Sequence, residues 1–312
     1  VYLSEDGYMN DVTIKDIYYN HDKEYLLVAY ANGNIDIITK DGKVINMPDI
    51  YISSVDGTKS INDVTFSRKG AYVATDFGYV LINDEKFEVK ESRVYDVAIK
   101  SLCEVGNFIV ISTADQIYLE EIGKHYGSLN ELIKTSFAQG GKVLPVGNTG
   151  FLFERGWLYL FKVKSEGDVS VQSTLSTNSI RNIERNKDGF MYTDNKGTLC
   201  YLDENAKKIS SITMPNDMWT SRISSYFGKG VVCELNENGV RQLMVEDGGA
   251  QTIIFDYDRP NVSSVNTPYY LVYNNENDCL YVMNSGATRF VSGYTEVGAL
   301  NARKCSYKQS HS

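Results

Sequence analysis

The feature that most constrains this chain is a hairpin that recurs along its whole length. Each copy is an apolar strand, a short polar turn and a second apolar strand, as in AYVATDFGYVLIN, which begins at Ala71. Alternating β-branched and aromatic residues indicate half-buried strands, and a glycine in the turn supplies the positive φ that tight hairpins need. The seven turns centre on Gly33, Gly78, Asp115, Gly156, Gly197, Gly239 and Gly286, with successive gaps of 45, 37, 41, 41, 42 and 47 residues.

A further strand precedes each hairpin, and several hairpins are followed by a fourth. IKDIYYN and INDVTFS stand before the first two hairpins, and GKVINMP and KKISSITMP follow two of them. Four strands in each repeat of about forty residues are typical of a propeller blade, and stacking of blades buries the faces that one blade leaves open. We therefore predict an all-β fold, a seven-bladed β-propeller with four-stranded antiparallel blades. A β-solenoid or two stacked sandwiches is the alternative, and the long period disfavours it.

The repeat covers the chain, so residues 1–312 are predicted to form a single propeller domain, itself a fragment of a longer protein. The N-terminal VYLSED is expected to add the outer strand of the last blade. Residues 303–312 are expected to be a frayed tail or the start of a next segment. The one helix candidate is GSLNELIKTS, with Ser128 as a possible N-cap.

Composition removes several functional classes. The net charge is −9, which disfavours nucleic acid as a partner because an acidic surface repels phosphate backbones. No run approaches the roughly 18 apolar residues that span a bilayer, so no membrane span is predicted. The five cysteines form no CxxC pair and there are only three histidines, so no zinc spacing exists and buried free thiols are expected.

Motifs for phosphate binding and nucleophilic catalysis are incomplete. AQGGKVLP, residues 138–145, lacks the first glycine of a phosphate-binding loop and has Val143 where Ser or Thr is required. His21 and His125 lie in polar turns without a neighbouring nucleophile, so we expect solvated turn residues.

Turns that suggest ions or sugars are equally incomplete. SVDG at Ser54 is one residue short of the sialidase-type turn box and has no second copy. The acidic turns at 234–239 and 273–279 lack the alternating spacing of a calcium loop, so ordinary turns are expected. We therefore predict no catalytic, cofactor-binding or metal-binding residues, no cofactor and no enzymatic activity. Trp157 and Trp219, if exposed at loop tips, would suit stacking on a sugar or contact with a protein.

The first third of the chain resembles a known family. Its YMNDVTIKDIYY segment, the LLVAYANGNIDII hairpin, the NMPDI connection and the AYVATDFGYVLI hairpin are similar to the N-terminal propeller of PorZ-like proteins of the type IX secretion system of Bacteroidota. The resemblance runs from Val1 to about Leu119, and only the blade period extends it further. The related sensor propellers of two-component regulators carry a Trp-Ile-Gly-Thr-like strand, whereas the equivalent positions here are YVATDFG and LVAYANG.

The resemblance implies a non-enzymatic scaffold at the cell surface or in the periplasm. Family members are similar in carrying a signal peptide, a second propeller and a C-terminal sorting domain, in working with a sortase-like protein and in binding anionic lipopolysaccharide. We therefore expect a protein partner in a surface or secretion complex, with lipopolysaccharide or another glycan as the other partner class. The alternative functions are a ligand-sensing periplasmic propeller of a two-component regulator and, less favoured, a propeller glycosidase or lyase.

Overall fold

The computed structural model describes residues 9–306 apart from single positions and short connections. The gaps are residues 12, 21, 147–148, 155–156, 166, 177–181, 187–188, 194–197, 204, 206, 214–218, 227–229, 238–239, 248–249, 257–267, 275–278, 285–293 and 298–301. Beyond residue 211 only the backbone is described. The chain divides into two compact units, Thr13–Thr177 and Asn178–Ser312 together with Val1–Val12, and each is described by itself.

The unit Thr13–Thr177 contains four antiparallel four-stranded sheets. The first is β1 Ile14–Asn20, β2 Tyr25–Tyr30, β3 Ile35–Thr39 and β4 Val44–Met47, and the second is β5 Ile61–Ser67, β6 Gly70–Thr75, β7 Gly78–Asn83 and β8 Glu88–Val94. The third is β9 Ser101–Val105, β10 Phe108–Ser112, β11 Ile117–Glu121 and β12 Ile133–Lys134. The fourth is β13 Lys142–Val146, β14 Thr149–Glu154, β15 Trp157–Val163 and β16 Val169–Ser176.

The second unit contains three further sheets. They are formed by β17 Asn182–Asn186, β18 Gly189–Thr193, β19 Thr198–Leu202 and β20 Lys208–Thr213; by β21 Trp219–Tyr226, β22 Gly230–Glu237, β23 Val240–Asp247 and β24 Ala250–Asp256; and by β25 Pro268–Asn274, β26 Cys279–Asn284, β27 Tyr294–Val297 and β28 Ala302–Ser306. The first two run in chain order, whereas the last has the order β25-β26-β28-β27.

The predicted count of seven blades is wrong, and the structure supports five blades. The backbone forms seven four-stranded sheets, but only the first five, β1 to β20, have described side chains that bury a face. For β21–β24 only strand pairing is described. In the last sheet β26 pairs with β28, and the strand predicted to follow Gly286 in a hairpin lies outside the described residues. The four-stranded antiparallel architecture of the blades is confirmed.

The ends of the chain and the minor elements differ in part from expectation. Closure by the VYLSED strand lies outside the described residues, and β28 includes residues up to Ser306. The predicted helix is a single 3-10 turn, Leu129–Glu131, followed by the short strand β12, while an unpredicted helical turn, α1, spans Asp49–Ile52. Within the described residues, no helix has the length and apolarity to cross a membrane.

Apolar clusters fill the spaces between neighbouring blades of the first unit. Leu27 and Ile37 of the first blade meet Val73 and Ile82 of the second, and two more clusters repeat this arrangement between blades two and three and between three and four. Fully burying such a side chain contributes about 1.5–3 kcal/mol. The predicted buried thiols are confirmed for Cys103 and Cys200, the two cysteines with described side chains.

The first strands of these blades converge. β5 contacts β1 and β9, and β9 contacts β13, so β1, β5, β9 and β13 are the inner strands of the unit. Because the strands alternate in direction, the connections between blades and the turns between second and third strands lie at the end where the inner strands begin. We call this the loop end.

Candidate functional site

Two inner strands carry the same β-bulge at the loop end. In β1 the pairing passes from Ile14 to Asp16, and in β5 from Ile61 to Asp63, so Lys15 and Asn62 are the extra residues. A bulge re-aims the side chain of its extra residue and occurs often next to functional sites. Both bulges therefore direct a polar side chain out of the regular alternation of the strand.

The bulged residues form a hydrogen-bonded chain across three blades. The Lys15 ammonium donates to Ser60 Oγ at 2.6 Å and to Asn62 Oδ1 at 3.1 Å. Asn62 Nδ2 in turn donates to Asp76 Oδ1 at 2.9 Å and to the carbonyl of Ile99 at 3.0 Å. The chain thus joins the first, second and third blades at their inner edges.

The charged groups of this hydrogen-bonded chain are partly buried. Burial lowers the pKa of Lys15, while the carboxylates of Asp76 and Asp16 act against that shift. Burial would raise the pKa of Asp76, but hydrogen bonds from Thr58 and Asn62 outweigh it and the pKa is lowered. Asp76 is therefore held ionised by donors from the connection that precedes β5 and from the bulge of β5.

A second tie lies deeper in the same inner strands. Ser101 Oγ on β9 donates to Asp63 Oδ2 at 2.5 Å and accepts the N–H of Val143 on β13 at 3.1 Å. Burial raises the pKa of Asp63, and the nearby Lys142 charge opposes that shift. One buried hydroxyl therefore connects blades two, three and four beneath the loop end.

The connection from β4 to β5, residues 48–60, carries the most exposed apolar side chains at the loop end. Ile52 is 69% exposed and Tyr51 is 50% exposed, whereas the neighbouring Ile50 is 3% exposed and packs in the first apolar cluster. Large apolar or aromatic side chains on a firm support are typical anchors of protein interfaces. We call residues 48–60 the anchor loop.

The anchor loop is fastened by its own polar groups. The Lys59 ammonium donates to the carbonyls of Tyr51 at 3.0 Å and Ser53 at 2.5 Å, and Ser53 Oγ donates to the carbonyl of Ile50 at 2.7 Å. The β2–β3 turn also presses against it: a Cβ on Gly33, whose φ is +92°, would lie 2.4 Å from the carbonyl oxygen of Lys59. The exposed pair is therefore held in place before any partner arrives.

Other exposed apolar residues are scattered. Val94 and Trp157, at 44% and 43% exposure, lie at the loop end of the second and fourth blades. Val171 and Ile209 lie on the outermost strands β16 and β20. Trp157 therefore meets the condition of exposure set by the sequence analysis, while the side chain of Trp219 lies outside the described residues.

A cluster of a carboxylate, an arginine and a histidine lies away from the inner strands. Glu120 on β11 is 2% exposed and accepts the hydroxyls of Tyr79 and Tyr95 at 3.0 and 2.8 Å and Arg93 Nε at 3.3 Å. Burial raises the pKa of both tyrosines, with the Glu120 charge adding to the shift. These groups lie on or beside the outer strands β7, β8 and β11, where they join blades two and three.

Arg93 extends this cluster to the surface. Its guanidinium also pairs with Glu91 and donates to Nδ1 of His125 at 2.8 Å. His125 is exposed, as expected for a turn residue, whereas His21 lies outside the described residues. Among the described residues, no group of three or more His, Cys, Asp or Glu side chains has the arrangement of a metal site.

The glycine-rich segment 138–145 is occupied by internal bonds. The N–H of Gly140 donates to the carbonyl of Ala114 and that of Gly141 to Ser112 Oγ at 2.9 Å. A Cβ on Gly140 would lie 1.6 Å from the carbonyl oxygen of Thr113, so Gly140 permits close chain packing. The acidic turns at 234–239 and 273–279 lie partly outside the described residues.

Sequence reasoning missed both the bulges and the anchor loop. A signal for the bulges exists, since I-K-D-I at the start of β1 and I-N-D-V at the start of β5 share isoleucine, a polar residue, aspartate and an aliphatic residue. Only the pairing register reveals that the polar residue is the extra one.

The described blades form a β-propeller. Hydrogen bonds between the inner strands join its blades, and the anchor loop is exposed at its loop end. Residues 2–129 match the family described as the type IX secretion system PorZ N-terminal β-propeller domain. This match confirms that this part of the chain is PorZ-like. No curated protein matches the chain at a significant level.

Solved structures share the fold at low identity. PorZ of Porphyromonas gingivalis, described as an essential surface component of its type IX secretion system, aligns with a TM-score of 0.53 and 14% identity over 89% of this chain and 45% of that one. The chain thus spans less than half the length of PorZ. The β-propeller of Myceliophteria thermophila Cps50 (Swd1) aligns at 0.63 and 10% identity, covering 88% and 94%. The C-terminal WD40 domain of Sif2 aligns at 0.60 and 12%, covering 96% and 82%.

Proposed function

We propose that this propeller is a non-enzymatic binding module of a PorZ-like protein, and that the anchor loop docks a protein partner of a surface or secretion complex. The observation that carries the proposal is the exposure of Tyr51 and Ile52 on a loop held by Lys59. A partner that meets a loop already ordered loses less entropy on binding, so two anchors can contribute most of the affinity.

A protein is favoured over an anionic glycan as that partner. The net charge of −9 and the exposed Asp49 and Asp56 beside the apolar pair would repel an anionic polysaccharide. An exported location is part of the proposal, and the similarity to PorZ, a bacterial surface component, supports it. The ties that join blades one to four leave the loop end as a rigid support, as expected of a scaffold that presents loops.

The proposal is tested with the full-length tagged protein in its native host. Crosslinking and purification from separated inner- and outer-membrane fractions would identify what accompanies the wild-type protein, the Tyr51→Ala/Ile52→Ser variant and the Val171→Ser/Ile209→Ser variant. The last is a matched control because it removes exposed apolar side chains from outer strands. We expect outer-membrane secretion components with wild type and control, and their loss with the anchor-loop variant.

Other outcomes would contradict the proposal in different ways. Recovery of an inner-membrane kinase would favour the sensor function instead. Equal recovery with both variants would show that the anchor loop is not the docking site. Degradation of a surface polysaccharide by the purified protein would favour a glycosidase or lyase.

A further inference from the structure

We infer that the segment which docks on the anchor loop is basic, with Lys or Arg next to an apolar side chain. This inference rests on the proposed function, because it names the chemistry of the partner at the same site. The evidence for the inference is the charge of the side chains that the anchor loop exposes to solvent.

The accessible charges of the anchor loop are acidic. Asp49 and Asp56 are both exposed and stand on either side of the apolar pair in the chain. The single cation of residues 48–60 is Lys59, whose ammonium is directed at two backbone carbonyls of the loop itself. The exposed charged side chains that a partner meets on the anchor loop are therefore carboxylates, and the one cation of the loop is engaged with backbone carbonyls.

The exposed ring of Tyr51 also favours a basic partner segment. Half of Tyr51 is open to solvent, and the face of a tyrosine ring attracts a guanidinium or ammonium group. A Lys or Arg side chain of a partner is therefore favoured both by the ring and by the exposed carboxylates of the loop. Ile52 remains available for an apolar side chain of the same segment.

The carboxylate at the inner edge of the blades is already balanced by nearby cations. Lys15 and Lys100 act on Asp76 at the inner edge of the blades, so that carboxylate already has cationic neighbours and adds little to the field over the loop. A basic segment would therefore lie over the anchor loop rather than over the inner edge.

The test is selection of a phage-displayed library of random dodecapeptides against the full-length protein at low ionic strength. Enriched peptides are expected to carry net positive charge together with an apolar side chain. Their affinity for Asp49→Asn/Asp56→Asn should fall by about three- to tenfold, since each exposed ion pair contributes a few tenths to 1 kcal/mol. The matched control is Asp22→Asn/Asp41→Asn, which removes two exposed carboxylates from turns at the opposite end of the first blade.

The remaining outcomes separate the inference from the proposed function. Peptides that need Tyr51 and Ile52 but are neutral or acidic, and bind Asp49→Asn/Asp56→Asn normally, would overturn the basic segment and leave the docking site intact. Peptides that bind Tyr51→Ala/Ile52→Ser as well as wild type would overturn the docking site itself. A library without any Tyr51-dependent binder would overturn the inference.

Discussion

Replacing Ser101 with Ala should destabilise the first unit more than any surface change of the same size. Ser101 is 2% exposed, and its hydroxyl donates to the buried Asp63 and accepts the N–H of Val143. Alanine removes both bonds at once and leaves a buried carboxylate oxygen and a buried N–H without this partner. The change therefore affects three blades through a single oxygen atom.

The expected magnitude follows from these two bonds. A hydrogen bond to a charged group contributes about 1.5–3 kcal/mol, and an unsatisfied buried N–H costs about 1–3 kcal/mol. Ser101→Ala should then lower the free energy of unfolding by about 3–5 kcal/mol, a large part of the roughly 5–15 kcal/mol that domains have. Urea unfolding followed by circular dichroism measures the loss, with the exposed Ser92→Ala on β8 as control. A loss below about 1 kcal/mol would refute the role of Ser101 as a tie.

Three further predictions concern neighbouring groups. Burial raises the pKa of Asp63 in the folded state above the pKa of about 4 that it has in the unfolded chain. The contribution of Asp63 to the free energy of unfolding should therefore fall as the pH rises above about 4. Urea unfolding measured from pH 4 to 8 should show this fall in the wild type and a smaller fall in Asp63→Asn. Gly33→Ala should lower the melting temperature more than Gly57→Ala. Both glycines have a positive φ, but only a Cβ at position 33 would meet a backbone atom, the carbonyl oxygen of Lys59 at 2.4 Å. Equal shifts of the melting temperature would contradict this close approach. Lys59→Met should speed hydrogen exchange by about 5- to 30-fold at Ile52 and Ser53, whose N–H groups bond to the carbonyls of Pro48 and Ile50, and Lys59→Arg should retain protection. Unchanged exchange in Lys59→Met would show that the ammonium does not hold the loop.

Local sequence patterns are sufficient to predict most of the strands. Alternation and turn chemistry are local properties, so INDVTFS is predicted with the bounds that β5 has, and six of the seven hairpins pair as expected. The residues predicted to complete the seventh hairpin after Gly286 lie outside the described residues. The pairing of β26 with β28 joins strands that are not neighbours in the chain, so no local pattern predicts it.

The candidate site is much less predictable. A bulge depends on which residue of a neighbouring strand is skipped, and nothing in the sequence of β1 alone distinguishes Lys15 from an ordinary strand residue. Tyr51 and Ile52 are apolar residues of a kind usually buried, so only the packing of Ile50 and the hydrogen bonds of Lys59 reveal that they face solvent. Ties such as Asp63 to Ser101 join residues 38 positions apart and need the folded blades.

The most direct measurement places a photo-crosslinking amino acid at position 52 of the full-length protein in its native host, and at position 209 as the control. Both positions carry an exposed isoleucine, but only the first belongs to the anchor loop. The account predicts a discrete crosslinked protein from position 52 and none from position 209. Crosslinks of equal yield at both positions, or a discrete product from position 209 alone, would contradict docking on the anchor loop.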